Sequence, residues 1–217
     1  MLSFADYIAN NINEGIHDPA RHKAIFMAGG PGSGKSYVSA KTTHGLGFKH
    51  LNSDELFEKG LKKHGLDATP ENIYSKKGQE IRGRAKELTG KREHNYVHGR
   101  LGLVIDGTGK DPEKIQQHSE KLRKLGYDTH MIFVNTSLKT AKARNRKRER
   151  VLPDHEVEQM HKQVQNNIGH FQQHFGREHM HIVDNDHADE DALLQVHKHV
   201  RKIAAAPLRN SIGRTNK

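Results

Sequence analysis

The feature that most constrains the fold is a glycine-rich segment that reads Gly29-Gly30-Pro31-Gly32-Ser33-Gly34-Lys35-Ser36. It matches the pattern G-x-x-x-x-G-K-[ST] at every specified position. An apolar run at residues 24–28 precedes it, and the residues after it can continue as a helix. Glycines let the backbone N–H groups of such a loop point at an anion, and the helix N-terminus adds partial positive charge. The segment therefore predicts a strand, a phosphate-binding loop and a helix in succession.

Two side chains of this phosphate loop (residues 29–36) carry chemistry of their own. Lys35 would contact the β- and γ-phosphates of a nucleoside triphosphate, and the Ser36 hydroxyl would be a ligand of Mg²⁺. We therefore expect the whole loop to bind the nucleotide, with ATP and Mg²⁺ as cofactors.

Apolar runs alternate with helical patterns along the rest of the chain. We expect strands near residues 24–28, 48–52, 101–105, 129–134 and 179–183, and helices at 3–13, near 189–204 and, as one long helix, from Pro153 to Phe175. This alternation predicts an α/β three-layer P-loop NTPase fold, with a five-stranded parallel sheet and helices on both of its faces.

The chain has the length of one domain, for which we expect residues 1–205. A polar helical stretch at 55–100 predicts a substrate-binding insertion, and an arginine-rich stretch at 139–153 predicts a lid. Residues 206–217 read as a basic disordered tail.

Two acidic residues follow predicted strands, at the sheet edge where the phosphate loop also lies. Asp106 ends an apolar strand and would hold the Mg²⁺ shell. Asp54 follows the second strand, and a carboxylate there can accept the proton of an attacking hydroxyl. The alternative role for Asp54 is to cap the helix that begins at Glu55, although Ser53 could fill that position instead.

The predicted lid carries a ladder of arginines. Arg144 and Arg148 are four residues apart and share one helix face, while Arg146 and Arg150 share another. Guanidinium groups neutralise charge on a migrating phosphoryl group and position it, so this face suits phosphoryl transfer. Pro153 follows closely, as at the hinge of a mobile flap.

Together these motifs resemble the kinase family that includes polynucleotide 5′-hydroxyl kinases and zeta toxins. The similarity spans residues 22–185 and rests on the phosphate loop, Ser53-Asp54, Ile105-Asp106-Gly107-Thr108 and Arg144-Asn145-x-x-x-Arg148. The resemblance implies that Lys35 and Ser36 are the phosphate and Mg²⁺ ligands, that Asp54 is the general base, and that Arg144 and Arg148 are lid arginines.

The sequence departs from this family at one position of consequence. Related kinases often carry an arginine three residues after the base, and Phe57 stands there in this chain. A contact to a substrate phosphate must then come from elsewhere, for which Arg82 and Arg84 are candidates, or it does not exist.

Charge and composition bear on partners and location. The net charge is +10, and residues 59–100 hold eleven Lys and Arg against five Asp and Glu, which suits a polyanionic partner. The chain has no cysteine, so disulfides and cysteine nucleophiles are excluded. Without a signal-peptide pattern or an apolar run of about 20 residues, we expect a cytoplasmic protein.

Eighteen histidines include pairs such as His179-x-His181, but the pairs lack a further ligand, so we expect surface histidines rather than a metal site.

The sequence therefore favours an ATP- and Mg²⁺-dependent kinase that phosphorylates a hydroxyl. DNA or RNA is the first acceptor to expect, at a 5′-hydroxyl or at a hydroxymethylated base as in DNA-modifying kinases of some phages. A zeta-toxin-like kinase of nucleotide sugars such as UDP-N-acetylglucosamine is the second, and an antitoxin partner would accompany it. A nucleoside monophosphate kinase and an ATP-binding module without kinase activity are further alternatives.

Overall fold

The computed structural model describes residues 20–148, 151–187 and 190–215. The helix expected at 3–13 and Arg150 of the predicted lid lie outside these ranges. Within them, no helix is both long enough and apolar enough to cross a membrane.

The strands and helices alternate as the sequence predicts. The strands are β1 (Lys23–Ala28), β2 (Lys49–Leu51), β3 (Leu103–Asp106), β4 (Asp128–Asn135) and β5 (Met180–Asp184). The helices of the described residues are α1 (Lys35–Thr43), α2 (Ser53–Lys63), α3 (Pro70–Tyr74), α4 (Lys76–His98), α5 (Pro112–Lys124), α6 (Leu138–Asn145), α7 (Asp154–Asn166), α8 (Ile168–Phe175), α9 (Glu190–Ala205) and α10 (Ser211–Thr215).

The five strands form one parallel sheet in the order β2-β3-β1-β4-β5. Every residue of the central strand β1 is buried, and its side chains alternate between the two faces. Ile25 and Met27 pack in a core with α1 and α9, whereas Ala24 and Phe26 pack in a second core with α5, α7 and α8. The predicted α/β three-layer fold is thereby confirmed.

The register of the sheet places the ends of three strands at one edge. Met27 pairs with Asp106, and Leu51 pairs with Ile105. The residues after β1, β2 and β3 therefore emerge side by side, so the sheet delivers the phosphate loop, Asp54 and Asp106 to a common site.

Helices α2, α3 and α4 pack on one another around a separate small core. Phe57 and Leu61 of α2 are buried there against Ile81 and Ala85 of α4. A side-chain carbon at Gly60 would lie 2.5 Å from the Ile81 side chain, so the two helices meet at a glycine. This helical lobe corresponds to the predicted insertion at 55–100.

The long helix expected from Pro153 to Phe175 is divided at Asn167. The Asn167 side-chain amide donates to the backbone carbonyls of Gly109 (3.0 Å) and Lys110 (3.2 Å), in the loop after β3. The apolar periodicity continues through the break, and for that reason the sequence pattern does not reveal it.

The expectation of a disordered tail at 206–217 is wrong for its described part. The backbone N–H groups of Arg209 and Asn210 donate to the Asp128 carboxylate at 2.9 and 2.8 Å, and α10 follows. The same carboxylate accepts from Lys23 Nζ at 2.7 Å in a buried ion pair. We call this set of bonds the Asp128 clasp. It holds the C-terminal segment through backbone N–H groups, and for that reason the amino-acid composition of the segment does not predict its order.

Candidate active site

The phosphate loop is shaped by close contacts that exclude side chains larger than glycine. Gly32 has φ +74°, and a side-chain carbon there would lie 2.3 Å from the Ala141 carbonyl oxygen of α6. Gly34 has φ +84° and meets the Asn185 side chain in the same way. Both glycines adopt a conformation that other residues rarely take, so the loop backbone lies directly against α6 and the end of β5.

Lys35 and Asp106 are two largely buried charged side chains that influence each other at the phosphate loop. Lys35 Nζ donates to the Gly29 carbonyl oxygen at 2.8 Å, within the loop itself. Burial lowers the pKa of Lys35, and the charge of Asp106 opposes that shift. Burial raises the pKa of Asp106, which Lys35 and Arg148 counteract, while Asp54 adds to the rise. The charges of Asp54 and Arg148 therefore act on both Lys35 and Asp106.

Asn52, rather than Asp54 or Ser53, caps α2. Its Oδ1 accepts from the backbone N–H groups of Asp54 (2.8 Å) and Glu55 (3.3 Å), and its Nδ2 donates to Asp106 Oδ2 at 2.9 Å. The helix begins at Ser53, one residue before Asp54. The Asp54 carboxylate is exposed and does not serve as the cap, so the structural alternative weighed for it does not apply.

The lid arginines have different surroundings. Arg144 donates to the Asn185 carbonyl oxygen at 2.7 Å and approaches the Ser33 carbonyl at 3.5 Å. Arg148 is exposed, lines a cavity of about 470 Å³ beside α2, and its charge acts on both Lys35 and Asp106. Arg146 pairs with Asp154 on α7. Arg148 thus acts on the loop lysine through its charge, whereas Arg144 contacts the loop backbone through hydrogen bonds.

Asn145 closes the lid turn. Its side-chain amide donates to the Leu152 carbonyl at 2.7 Å and accepts from the Leu152 N–H at 3.2 Å. The backbone of Leu152 is thereby held to the fully buried Asn145 side chain at the end of α6.

Residues after β5 complete the site, and the sequence analysis missed them. Asn185 is buried and donates from Nδ2 to the Ser33 carbonyl at 2.6 Å. Asp186 accepts from Thr136 Oγ1 and from the Ser137 N–H at the start of α6. Although burial would raise its pKa, these hydrogen bonds lower the pKa of Asp186 to about 2. Asn185 and Asp186 directly follow β5, just as Asp54 and Asp106 lie at the ends of their strands, and this position was the sequence signal that could have identified them.

The residues present fit a magnesium ion. Asp106 Oδ1 is buried and has no hydrogen-bond partner in the described chain, and the Ser36 hydroxyl lies at the start of α1. Mg²⁺ in nucleotide sites is usually held by one or two protein oxygens together with phosphate oxygens and water. Among the described residues, no group of three or more His, Cys, Asp or Glu side chains is placed to hold a metal ion.

The expectation of surface histidines is wrong for His22 and His130, which are buried. Burial, with the nearby His179 and Lys23, lowers the pKa of His130 to about 3. His130 lies 4.9 Å from His179, between ring centres. These imidazoles sit toward the beginning of β4 and β5, at the opposite end of the strands from the phosphate loop.

A family model described as Zeta toxin matches residues 8–194, most of the chain. The chain belongs to the Zeta toxin family. The resemblance drawn from its motifs is thus confirmed. Among curated relatives, adenylate kinase isoenzyme 5 of Bos taurus is 30% identical over 119 residues, 54% of this chain and 20% of that protein. Adenylate kinase isoenzyme 1 of Homo sapiens is 28% identical over 127 residues, 58% of this chain and 64% of that protein. The chain therefore spans less than two thirds of the length of either relative.

Solved structures share the fold of this zeta toxin family member. A structure of the PezAT toxin–antitoxin system of Streptococcus pneumoniae has a TM-score of 0.59 at 15% identity, over 93% of this chain and 94% of that one. A chain of the Pnkp1/Rnl/Hen1 RNA repair complex has a TM-score of 0.54 at 17% identity, over 73% and 48%. At such identities the likeness shows the fold alone. Family membership and the kinases among the relatives support a phosphotransferase.

Proposed function

We propose that this protein is an ATP- and Mg²⁺-dependent kinase that phosphorylates a hydroxyl of a nucleotide-type acceptor. The observation that carries the proposal is geometric: the sheet register brings the phosphate loop with Lys35, Asp106 with a buried oxygen that has no partner among the described residues, and the start of the helix that carries Asp54 to one edge. An exposed carboxylate beside a lysine and an arginine supplies a base and compensating charge, which are the requirements of phosphoryl transfer.

Asp54 is the proposed general base. It accepts the proton of the acceptor hydroxyl as that oxygen forms a bond to the γ-phosphorus and the bond from this phosphorus to the bridging oxygen of ADP breaks. Because Asn52 caps α2, the Asp54 carboxylate oxygens do not serve as the helix cap. The expected gain from such a positioned base is roughly 10²–10⁴ in rate.

Lys35 and Arg148 are the proposed sources of positive charge for the transferred group. Arg144 supports the loop through its backbone contacts at Ser33 and Asn185. Ser36 and Asp106 would hold Mg²⁺, which neutralises phosphate charge when bound. The loop N–H groups and the N-terminus of α1 would hold the nucleotide phosphates.

The cavity beside α2 favours a compact acceptor over a polymer. Its charged lining consists of three acidic side chains (Glu55, Glu58 and Asp67) and three basic ones (Lys59, Lys62 and Arg148). Since the acids and the cations are equal in number, the cavity presents balanced charge, unlike the continuous positive groove that tracks a nucleic-acid backbone. Membership of the Zeta toxin family supports a nucleotide-sugar acceptor in particular.

A nucleic-acid acceptor is the second candidate, because exposed cations remain on α4. Lys76, Arg84, Lys86 and Arg92 are exposed along that helix. An antitoxin partner also belongs to the proposal, since the structurally similar PezAT protein is part of a toxin–antitoxin system.

The test is transfer of labelled phosphate from ATP to nucleotides, nucleotide sugars and 5′-hydroxyl oligonucleotides, with the wild type and Asp54→Asn. We expect transfer to a nucleotide-type acceptor and a fall in kcat of roughly 10²–10⁴ for the variant, with unchanged thermal stability. Asp191→Asn is the matched control, because it makes the same change in the first turn of α9.

The acceptor that reacts decides between the two candidates. Transfer to oligonucleotides that weakens steeply with added salt would favour the nucleic-acid candidate, since counterion release governs such binding. A loss below tenfold for Asp54→Asn would remove this residue from the role of base. Transfer to no hydroxyl would refute the kinase proposal.

A further inference from the structure

Another cavity lies at the end of the sheet opposite the phosphate loop. It has a volume of about 330 Å³ and is lined by the end of α5, the start of β4, the end of α8, the residue before β5 and the C-terminal segment. Because these five segments are far apart in the sequence, the cavity exists only in the folded chain.

The side chains that line this cavity are rich in cationic and hydrogen-bonding groups. The basic residues of its lining are Arg123, His174, His179 and Arg209. The acidic side chain of the lining is Asp128, whose carboxylate is already bonded to an ammonium and to two backbone N–H groups in the Asp128 clasp. The balance of charge in the cavity is therefore positive, which favours an anionic ligand.

Arg123 is the half-buried cation of this set. Its Nε donates to Thr129 Oγ1 at 2.6 Å, and its guanidinium carbon lies 5.7 Å from the centre of the Phe175 ring. Its two Nη groups have no hydrogen bond within the described part of the chain. Burial lowers the pKa of this guanidinium, and the charge of Glu120 counteracts that shift. A guanidinium held through Nε keeps its planar fork available for two oxygens of an anion.

The hydroxyl that accepts from Arg123 belongs to a chain of bonds that also fixes His174. Thr129 Oγ1 lies 3.2 Å from Ser119 Oγ, which in turn lies 2.9 Å from His174 Nε2. Both hydroxyl-bearing residues are buried. The second ring nitrogen of His174, Nδ1, has no hydrogen bond among the described residues, so it is available to a ligand. One network therefore preorganises the guanidinium and the imidazole, which lowers the cost of binding.

We propose that this cavity is a second anion-binding site and that its ligand is a small phosphate monoester. The fork of Arg123 binds two phosphate oxygens, and the imidazoles of His174 and His179 contact the third. A phosphate monoester carries a charge of about −1.5 to −2 at pH 7 and three strong acceptor oxygens, which suits a site with more donors than one carboxylate uses. The cavity volume is at the small end of the range for ligand pockets, so a small organic phosphate fits better than a nucleic acid.

A ligand in this cavity would connect the sheet to the C-terminal segment. Arg209 lines the cavity, and its backbone N–H already belongs to the Asp128 clasp. Its guanidinium pairs with Glu178, but both side chains are exposed, and such pairs are weak enough to exchange for a better anion. A bound phosphate monoester should therefore slow proteolysis of the C-terminal segment.

The test is calorimetric titration of glycerol 3-phosphate into the full chain, with glycerol and succinate as comparison probes. Lys35→Ala is the background for every measurement, which weakens phosphate binding at the phosphate loop, and no ATP is added. We expect one binding site for glycerol 3-phosphate, weaker binding of succinate and no binding of glycerol. Arg123→Gln should weaken the binding of glycerol 3-phosphate roughly ten- to a hundredfold, because it removes charge-assisted hydrogen bonds.

Lys124→Gln is the matched control, because it removes a cation from the next position of α5, which is exposed and outside the cavity lining. It should leave the affinity unchanged. Arg123→Lys keeps the charge but lacks the planar fork, so it should retain only part of the affinity. His179→Gln changes a different segment of the lining and should also weaken binding, which keeps the test decisive if Arg123→Gln does not fold.

Affinity for glycerol 3-phosphate that is unchanged in the Arg123 and His179 variants would overturn the inference, as would equal losses for Arg123→Gln and Lys124→Gln. Succinate that binds as tightly as glycerol 3-phosphate, or no binding of glycerol 3-phosphate at all, would overturn it too. A lower unfolding temperature for Arg123→Gln with unchanged affinity would assign the residue to packing on Phe175 alone. Because no measurement needs ATP or turnover, these results are independent of the kinase proposal.

Discussion

The neutral side chain of Asn52 forms hydrogen bonds with two acidic residues of the site, Asp54 and Asp106. One end of its amide caps α2, and the other donates to Asp106. The cap fixes the first turn of the helix that carries Asp54, and the donated bond occupies only one Asp106 oxygen. Asn52 thus bonds the Asp54 backbone and the Asp106 carboxylate without adding charge to the site.

At the same scale, Arg144 and Arg148 should respond differently to the same substitution. We expect Arg148→Lys to lower kcat roughly tenfold or more with little change in ATP affinity, because the contact proposed between its planar fork and the transferred group should strengthen in the transition state. Arg144→Lys should instead weaken ATP binding, because it loosens the loop backbone at Ser33. Steady-state kinetics of both variants check this. A loss of ATP affinity with unchanged kcat for Arg148→Lys would make it a ground-state clamp.

At the scale of elements, the sequence predicts those features whose structure depends on residues close together in the chain. The phosphate loop, the Ser137 cap of α6 and the Asp111 cap of α5 follow from short stretches of sequence, and the strand order then places Asp54 and Asp106. The break at Asn167 depends on contacts with residues more than fifty positions away, which no local pattern contains.

The docking of α10 can be tested through a pair of glycines. A side-chain carbon at Gly213 would lie 2.2 Å from the Gly126 carbonyl oxygen, so Gly213→Ala must displace backbone. We expect a loss of roughly 1–3 kcal/mol in the free energy of unfolding and faster proteolysis of the C-terminal segment. Gly90→Ala on α4 is the control, since its new methyl group meets open space and should stabilise the helix by roughly 0.5–1 kcal/mol. Unchanged stability of Gly213→Ala would show that the segment is not anchored there.

At the scale of the molecule, histidines in partly or fully buried positions make stability depend on pH. Burial is the largest cause of a lowered pKa at six of them: His22, His50, His130, His174, His181 and His199. A histidine whose pKa is lower in the folded state binds protons more readily when the chain is unfolded. Its contribution to stability is complete above the unfolded pKa of about 6.5 and is lost as the pH falls below that value.

We therefore expect the unfolding temperature to fall between pH 7.5 and pH 5.0, a window above the usual carboxylate range. His130→Gln should reduce the size of this fall, whatever its effect at pH 7.5, because it removes the group whose pKa is lowered to about 3. His155→Gln, at an exposed position, is the control and should keep the wild-type fall. Thermal unfolding across this range checks the prediction, and an unfolding temperature that rises toward pH 5.0 would contradict it.

The Asp128 clasp has a consequence for the time at which the fold is completed during synthesis. Ribosomes synthesise a chain from its N-terminus onward, so Lys23 and Asp128 are both made well before Arg209 and Asn210. Until those last amides emerge, Asp128 has the Lys23 ammonium but lacks two of its hydrogen-bond donors. The residues of the phosphate loop and the lid are already present by then. A nascent chain therefore holds its whole proposed catalytic set before it gains the bonds that finish the opposite end of the sheet.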